Sequence, residues 1–333
     1  MIPPVRRTVL AVLALSVGAA LLVWQVHQLG LERITSGLSQ VGWGFLIILL
    51  LSLLRFVARS IAWTTLIGQP VPIGRAVAAT ISGDALGNVT PLSLLVSEPV
   101  KAMYLDAGPG SSRSLAALAA ENFFYSVSVG IYVALGTAAM LRAFPLPSEI
   151  HVAGVTALGL MALVLAVAAW TAWQKPALAS AVVSRLPFGR LAAVVDRVRD
   201  FEVRTYGSAG RQGGRLGVVF VCETAFHLLS FLETWLTVWL VTGVSAPLAA
   251  FVLDTFNRIV NIVAKMIPLR LGVDQVTSER VAVAIGLGPA IGTMVSLMRT
   301  GRMMVWAAVG LLLLTRRSLT KAQGLRPKAH DRS

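Results

Sequence analysis

Residues 87–101, GNVTPLSLLVSEPVK, decide how this chain folds, because they interrupt an apolar segment that otherwise suits a lipid bilayer. Gly87 and Pro91 weaken or break a helix, while Glu98 and Lys101 are charged. Backbone that is not helical is tolerated at membrane depth only where protein buries it or where it lines a wet cavity. The stretch therefore predicts either the wall of a cavity or a plain proline kink in a spanning helix.

The composition predicts an all-α polytopic integral membrane protein. The chain has 333 residues, of which 56% are hydrophobic and 13% are charged, whereas soluble domains carry about 25% charged residues. Several windows of about 20 residues are almost wholly apolar, as a transmembrane helix requires. Full spans are predicted at about 8–29, 43–66, 114–141, 151–173, 216–242 and 290–314. Two broken or re-entrant segments, at about 76–100 and 247–271, complete a single transmembrane domain over residues 1–333.

The basic residues predict the orientation of these spans. With both broken segments re-entrant, nineteen of the 29 lysines and arginines fall on one side of the membrane and four on the other. The positive-inside rule then places both termini in the cytoplasm, in a multi-pass protein of a bacterial-type cytoplasmic (inner) membrane. The net charge of +14 is explained by topology and anionic lipid, so we expect no nucleic-acid partner.

The order of features predicts two repeated halves, 43–141 and 216–314, each running span, broken segment, span. NVTPLSLL in the first half is echoed by KMIPLRLG in the second, and their prolines, Pro91 and Pro268, are 177 residues apart. Because the first span of one half runs inward and that of the other runs outward, the halves would be inverted repeats, an architecture found in many transporters.

Two cytoplasmic segments lie outside the repeats. The loop 174–215 contains apolar residues at helical spacing beside arginines, which predicts an amphipathic helix on the inner leaflet or a cytoplasmic helix packed on the rest of the loop. The tail 316–333 is basic and polar, and we expect it to be disordered.

The second broken segment carries the densest polar pattern. Its charged and amide residues recur at i, i+3, i+4, i+7 and i+11, which places them on one face of a helix. They are Asp254, Asn257, Arg258, Asn261 and Lys265. Charged groups at membrane depth usually face a cavity or a partner, so the face predicts a cavity wall or a satisfied polar stripe between helices.

Further ionisable residues lie within the predicted spans. Arg59 is expected near the inner boundary, where its long side chain would reach the headgroups, whereas Arg55 lies deeper. The candidate cavity residues are Arg55, Asn88, Pro91, Glu98, Lys101, Glu121, Asp254, Asn257, Arg258, Asn261, Lys265, Pro268 and Arg299. Glu223, His227 and Glu233 are candidates for charge balance or proton transfer. The pattern predicts a cavity with an excess of cations, suited to a phosphate-bearing headgroup.

The order of segments resembles the flippase-like family, also called the lysylphosphatidylglycerol synthase transmembrane region. The resemblance rests on RSIAWTTLIG, GNVTPLSLLVSEPVKAMYL, ENFFYSVSVG, HLLSFLETWLTVWL, MIPLRLGVDQVTSERVAVAIGL and MRTGRMMVWAAVGLLL. The family's two proline patterns fall on Pro91, Glu98 and Lys101 and on Pro268 and Asp274. The resemblance implies movement of lipid between leaflets and no aminoacyl transfer, which belongs to a separate soluble domain of the synthases.

Three functions fit these observations, and the role of an accessory subunit is the remaining alternative. The first is a lipid flippase or lipid-carrier transporter whose partner is a membrane phospholipid or a polyprenyl (isoprenoid) lipid, acting beside lipid-biosynthesis enzymes. The second is an intramembrane enzyme acting on a lipid phosphate or a polyprenyl-linked sugar, with Glu98 and His227 as its candidate catalytic groups. The third is a small-ion or solute transporter. The sequence has no P-loop and no paired-histidine metal motif, so neither ATP hydrolysis, nor a cofactor, nor a metal is expected.

Overall fold

The structure is a computed structural model that describes residues 39, 41–90, 93–105, 111–173, 209–263 and 272–324. The described residues form nine helices and no strand. In chain order they are α1 Gly44–Ile67, α2 Ile73–Val89, α3 Ser93–Leu105, α4 Ser111–Ala143, α5 Ser148–Trp173, α6 Ala209–Thr242, α7 Pro247–Val263, α8 Val273–Ala284 and α9 Pro289–Gly324. The prediction of an all-helical membrane protein is confirmed at this level.

Four of the described helices are long and apolar enough to cross a bilayer. They are α1, α4, α6 and α9, through the stretches Gly44–Ile67, Ala117–Ala143, Gly214–Thr242 and Pro289–Arg317. Each coincides with a predicted span. The predicted span 151–173 coincides with α5, a 26-residue helix with an apolar middle, and the predicted span 8–29 lies outside the described residues.

The first interrupted segment is two helices, α2 and α3, rather than one kinked helix. α2 ends at Val89, and Thr90 has φ −111° and ψ 145°, an extended conformation. Proline in the next position of the sequence imposes this conformation, because its ring clashes with a preceding helical residue. Thr90 also closes the helix, since its N–H and hydroxyl both donate to the carbonyl of Leu86, at 3.1 Å and 2.7 Å.

α2 and α3 form an antiparallel pair. Asp84 on α2 contacts both Ser97 and Lys101 on α3. Gly83 allows this approach, because a Cβ at this position would lie 2.8 Å from the carbonyl oxygen of Ser97 and 2.5 Å from Cγ of Lys101. The close packing brings the charged end of the quoted stretch against the middle of α2.

The second interrupted segment has the same form. α7 ends at Val263, and α8 begins after Gly272, whose φ of 80° and ψ of −44° lie in a region that favours glycine. The first turns of α7 and the last turns of α8 share one hydrophobic cluster, so these helices also run antiparallel. Lys265 and Pro268, between the two helices, lie outside the described residues.

The long helices hold the two helix pairs together. α6 packs against α1, while the α2–α3 pair packs on α9 and α7 packs on α4. α5 packs mainly on α4, to one side of this arrangement. Buried polar residues meet in the interior of this bundle. It is enclosed by the long helices α1, α4, α6 and α9 and by the helix pairs α2–α3 and α7–α8.

Two helices extend further than their predicted spans. α6 begins at Ala209, so the last seven residues of the loop 174–215 are helical, and the predicted amphipathic helix at 190–204 lies outside the described residues. α9 continues to Gly324, so residues 316–324 are helical where disorder was expected. The guanidinium of Arg317 lies 4.1 Å from the ring centre of Tyr104, a contact that stabilises this extension.

Candidate functional site

A cavity of about 430 Å³ lies inside the bundle, and eight of the nine described helices contribute to its wall. Aromatic and aliphatic side chains alternate there with amides and charged groups. Pockets for small organic ligands span roughly 300–1,000 Å³. The cavity therefore has room for a whole polar headgroup rather than for a single ion.

Six basic side chains among the described residues line the cavity, and each has a carboxylate within ion-pair distance. The basic residues are Arg55, Arg59, Lys101, Arg258, Arg299 and Arg302. Their partners are Glu233, Glu121, Asp84, Glu98, Asp254 and Asp274. The predicted excess of cations is therefore not found among the described residues, because six acids balance these six bases. An unpaired buried charge would cost several kcal/mol, which favours this balance.

Two arginines share one carboxylate at the meeting point of α1, α6 and α9. Nη1 of Arg55 donates to Oε2 of Glu233 at 3.0 Å, and Nη1 of Arg302 donates to the same oxygen. The three side chains are 16%, 11% and 6% exposed for Arg55, Arg302 and Glu233. We call these residues the two-arginine cluster. It carries one formal positive charge more than its carboxylate balances.

The opposite ratio occurs between α2 and α3, where one lysine faces two carboxylates. Nζ of Lys101 lies 2.9 Å from Oδ1 of Asp84 and 3.2 Å from Oε1 of Glu98. The hydroxyl of Ser97 also donates to Asp84, at 3.3 Å. We call Lys101, Asp84 and Glu98 the lysine cluster. It carries one formal negative charge more than its ammonium balances.

Arg59 belongs to the cavity, which corrects the expectation that its side chain reaches the membrane surface. Its Nε donates to Oε1 of Glu121 at 2.7 Å, and its Nη2 donates to Oδ1 of Asn122 at 2.8 Å. The guanidinium also lies 4.5 Å from the ring centre of Tyr125. Glu121 is fully buried behind this arginine and holds it in the wall.

Asp254 organises the wall contributed by α7. Its carboxylate accepts hydrogen bonds from Tyr132 Oη at 2.8 Å, Ser230 Oγ at 2.9 Å and Arg258 Nη2 at 3.4 Å. The predicted i, i+4 pair of Asp254 and Arg258 is thus present. Asp254 faces α4 and α6 from behind the wall, and its bonds orient the Arg258 guanidinium, which lines the cavity.

Arg299 fixes α9 to both members of the second helix pair. It donates to Asp274 Oδ1 at 3.4 Å and to the backbone carbonyl of Leu253 at 3.2 Å. Ser296, one turn earlier on α9, donates to the other oxygen of Asp274 at 3.0 Å. Both Arg299 and Asp274 line the cavity.

Glu223 and His227 lie outside the described cavity wall. Nε2 of His227 is 2.9 Å from the hydroxyl of Ser128, and the ring stacks on Tyr132 with centres 4.9 Å apart. Glu223 is buried one turn away on α6. Since Glu98 belongs to the lysine cluster, the structure does not combine Glu98 and His227 into one catalytic group.

Several polar atoms of wall residues have no hydrogen-bond partner among the described residues. Three are donors and two are acceptors, so the unfilled capacity is of both kinds. They are Arg55 Nε, Arg258 Nε, Trp306 Nε1, Glu98 Oε2 and Asn261 Oδ1. Buried polar groups are normally paired, so these atoms indicate a polar occupant with both donors and acceptors.

Most predicted cavity residues meet in one place. Arg55, Asn88, Glu98, Lys101, Asn257, Arg258, Asn261 and Arg299 line the cavity, with Glu121, Glu233 and Asp254 behind them as ion-pair partners. Pro91, Lys265 and Pro268 lie outside the described residues.

Several wall residues are absent from the candidate cavity residues, and Asp84 and Arg302 matter most among them. Asp84 has a sequence signal, because it is a charged residue in an apolar segment one helical turn before Asn88. Arg302 follows Arg299 by three positions and so shares its helix face. Trp306, one further turn along α9, gives no signal, since tryptophan is ordinary in membrane helices.

The four helices that are long and apolar enough to cross a bilayer, packed around buried ion pairs, indicate a polytopic α-helical membrane protein. The chain matches the family described as Lysylphosphatidylglycerol synthase TM region over residues 9–311, and it belongs to that family. No curated protein and no solved structure is significantly similar to it. The family indicates a membrane function related to lipid.

Proposed function

We propose that the protein moves a phosphate-bearing lipid between the leaflets of a bacterial-type cytoplasmic membrane, with the headgroup passing through the cavity and without ATP hydrolysis. Both termini would be cytoplasmic, and enzymes of lipid biosynthesis would supply or consume the lipid. The observation that carries the proposal is the two-arginine cluster, a local excess of positive charge inside a membrane protein of a lipid-related family.

The chemistry of the cluster favours phosphate. Guanidinium groups bind phosphate oxygens through paired N–H donors, and Arg55 and Arg302 approach the same point from different helices. Nε of Arg55 has no partner among the described residues, so part of its donor capacity is unused. A phosphate anion would neutralise the extra charge and accept these donors, while the acyl chains stay in the lipid phase.

The packing supports the inverted repeat that such transport uses. Each helix of one half has a counterpart in the other: α1 and α6, α2 and α7, α3 and α8, and α4 and α9. When every helix is replaced by its counterpart, each observed contact between two of these helices corresponds to another observed contact. The contact of α2 with α9 becomes that of α7 with α4, and α2 with α3 becomes α7 with α8. Two halves that pack on each other in this reciprocal way can rock around a central site.

The cavity wall repeats at the same spacing as Pro91 and Pro268, which is 177 residues. Adding this spacing to the wall residues Asn122, Tyr125, Ser126 and Val129 of α4 gives Arg299, Arg302, Met303 and Trp306 of α9, which are also wall residues. Adding it to Ile81, Asp84 and Ala85 of α2 gives Arg258, Asn261 and Ile262 of α7, again in the wall. The repeated register supports a common origin for the two halves.

Leaflet exchange in proteoliposomes tests the proposal. The purified full chain is reconstituted with labelled phosphatidylglycerol and, separately, with a labelled polyprenyl phosphate. We expect exchange of at least one lipid, and we expect Arg302→Gln to slow it about tenfold or more, because a hydrogen bond to a charged group contributes roughly 1.5–3 kcal/mol.

Arg142→Gln is the matched control, because Arg142 is an exposed arginine at the end of α4. It should leave the rate unchanged. Equal rates in Arg302→Gln and wild type would remove the two-arginine cluster from the proposal. Movement of a water-soluble anion without exchange of lipid would favour a solute transporter instead.

A further inference from the structure

A buried carboxylate outside the cavity wall has no ion-pair partner in the described part of the chain. Glu223, on α6, is 4% exposed, and no basic side chain among the described residues lies within ion-pair distance of it. The other carboxylates that are buried there each pair with an arginine, and they are Glu121, Glu233, Asp254 and Asp274. An ionised carboxylate is costly to bury without a counter-charge. Glu223 is therefore set apart from these acids by its need for a positive charge.

The hydrogen bonds around Glu223 lack one donor. The hydroxyl of Ser128 donates to the carbonyl of Tyr125 at 2.8 Å, so Nε2 of His227, 2.9 Å from the same hydroxyl, carries the hydrogen between them. In a neutral imidazole this leaves Nδ1 as an acceptor. Nδ1 of His227 and Oε1 of Glu223, one helical turn apart, are both buried and have no partner among the described residues. A proton on the Glu223 carboxyl supplies the missing donor.

The site lies between the two proposed halves and is connected to the cavity wall. It is enclosed by α4 of the first half and α6 of the second. The ring of His227 stacks on Tyr132, whose hydroxyl donates to Asp254 at 2.8 Å. Asp254 in turn bonds to Arg258, which lines the cavity. A rearrangement of the halves would therefore change the surroundings of Glu223 and of the cavity together.

The charged groups that face Glu223 already balance one another. Glu121 of α4 repels its ionised form, whereas Arg59 of α1 and Arg258 of α7 attract it. Both arginines are held by other carboxylates, and so are the two wall arginines of α9. The neighbouring titratable groups on its own helix are Cys222 and His227. Ionised Glu223 thus adds one negative charge to a lining of six acids and six bases.

We infer that Glu223 is a proton-binding site and that its proton travels with the anionic headgroup, one proton for each lipid. With the carboxyl protonated, the charges of the lining balance and the cavity accepts an anion. With the carboxyl ionised, the extra negative charge opposes the anion, so each ligand favours the binding of the other. The proton is taken from water on one side and released to water on the other, and no bond of the lipid changes.

This inference rests on the proposed function, which it deepens by naming a proton gradient as the energy source. A pH gradient across proteoliposomes of the wild-type chain tests it. Labelled phosphatidylglycerol starts evenly distributed between the leaflets, the membrane potential is held at zero, and a membrane-impermeant quencher reports the outer-leaflet fraction. This phosphodiester keeps one negative charge throughout, whereas a phosphate monoester changes its charge at about pH 6.

A gradient of one pH unit should enrich the label in the leaflet on the alkaline side. The expected limit is about tenfold for one proton per lipid, because a tenfold proton gradient drives a tenfold lipid ratio. Vesicles without protein give the baseline. The same vesicles without a gradient measure lipid exchange alone, so a failure of the coupling is distinguished from a failure of the proposed function.

The variant Glu223→Gln carries a permanently neutral amide and should abolish the enrichment. Because the enrichment is an equilibrium ratio, a variant that exchanges lipid slowly reaches the same value later, so partial unfolding does not imitate the effect. Glu279→Gln is the matched control, since Glu279 is a partly buried carboxylate of α8 that bonds to Gln275 and Thr293. It should keep the wild-type enrichment.

Several results would overturn the inference. Lipid exchange in wild type that ignores the pH gradient would remove the coupling and leave the proposed function intact. Enrichment that persists in Glu223→Gln would place the proton on another group. Enrichment driven by a sodium gradient instead of a pH gradient would make this a metal-cation site. Absence of lipid exchange in wild type would remove the proposed function and the coupling with it.

Infrared spectroscopy decides the case in which Glu223→Gln exchanges no lipid. The absorption of protonated carboxyl groups is compared between the variant and wild type at the same pH. Loss of part of this absorption in Glu223→Gln, but not in Glu279→Gln, would support a proton on Glu223. An unchanged band would overturn the assignment.

Discussion

The buried ion pair of Arg59 and Glu121 fixes one basic side chain in the cavity wall. Glu121 is fully buried, and its carboxylate takes two hydrogen bonds from the Arg59 guanidinium, at 2.7 Å and 3.3 Å. Removing one partner of such a pair leaves the other charge buried alone, whereas replacing both by apolar groups removes the desolvation cost as well. The pair therefore fixes geometry more than it adds net stability.

We predict that Glu121→Ala lowers the free energy of unfolding by about 3–5 kcal/mol, because Arg59 loses its carboxylate. The double variant Arg59→Leu/Glu121→Leu should recover most of this loss, since no unpaired charge remains. Thermal unfolding in detergent measures both variants. A double variant as unstable as Glu121→Ala would contradict the account. Glu149→Ala, at an exposed position in the first turn of α5, is the control and should be neutral.

Residue patterns predicted which charges lie in the interior but not how they pair. The 3.6-residue period placed Asp254, Asn257, Arg258 and Asn261 on one face, and the structure puts the last three in the cavity wall. The contacts of Glu233 with Arg55 and Arg302 span 178 and 69 residues. A local pattern cannot identify partners at such separations, so the cation count of the sequence overstated the charge of the cavity.

At the scale of elements, small residues decide how closely the helix pairs approach. Gly83 lies where α2 meets α3, whereas a Cβ at Gly74 on the same helix would have no neighbour within 4 Å. A larger side chain at Gly83 must push on the backbone of Ser97 and on the stem of Lys101. The lysine cluster thus depends on a residue without a functional group.

We predict that Gly83→Leu destabilises the protein by about 1–3 kcal/mol through overpacking, because the added side chain must displace α3. Gly74→Leu makes the same change of side chain in open space and should have a much smaller effect. Unfolding midpoints in detergent measure both variants. Similar values for Gly83→Leu and wild type would mean that α2 and α3 separate freely.

The breaks in both helix pairs were predictable because they follow from local covalent geometry. Thr90 is extended since proline follows it, and Gly272 adopts a positive φ before α8. The lengths of α6 and α9 were less predictable, because their ends extend beyond the apolar spans. At the end of α9, Arg317 contacts Tyr104, a residue far away in the sequence that a local pattern cannot identify as a partner.

At the scale of the whole molecule, an inverted repeat places equivalent loops on opposite sides of the membrane. The loop 68–72 joins α1 to α2, and the loop 243–246 joins α6 to α7. The described residues of both are largely exposed. The chain has a single cysteine, Cys222, so its replacement gives a background for labelling.

In a Cys222→Ser background, we predict that a membrane-impermeant maleimide added outside intact cells labels Val244→Cys. Gln69→Cys should be labelled only after permeabilisation, because the positive-inside rule puts its loop in the cytoplasm. Labelling of both from one side would contradict the inverted repeat. The reversed result would keep the repeat and overturn the orientation.

The matched charges of the described cavity wall have an electrical consequence. Six basic and six acidic groups together carry no net formal charge, so under the proposed function the membrane potential would do little work on them if they moved as one. One uncompensated charge crossing 100 mV involves about 2.3 kcal/mol. With this part of the protein electrically neutral, the voltage would act chiefly on the charge of the lipid that we propose it moves.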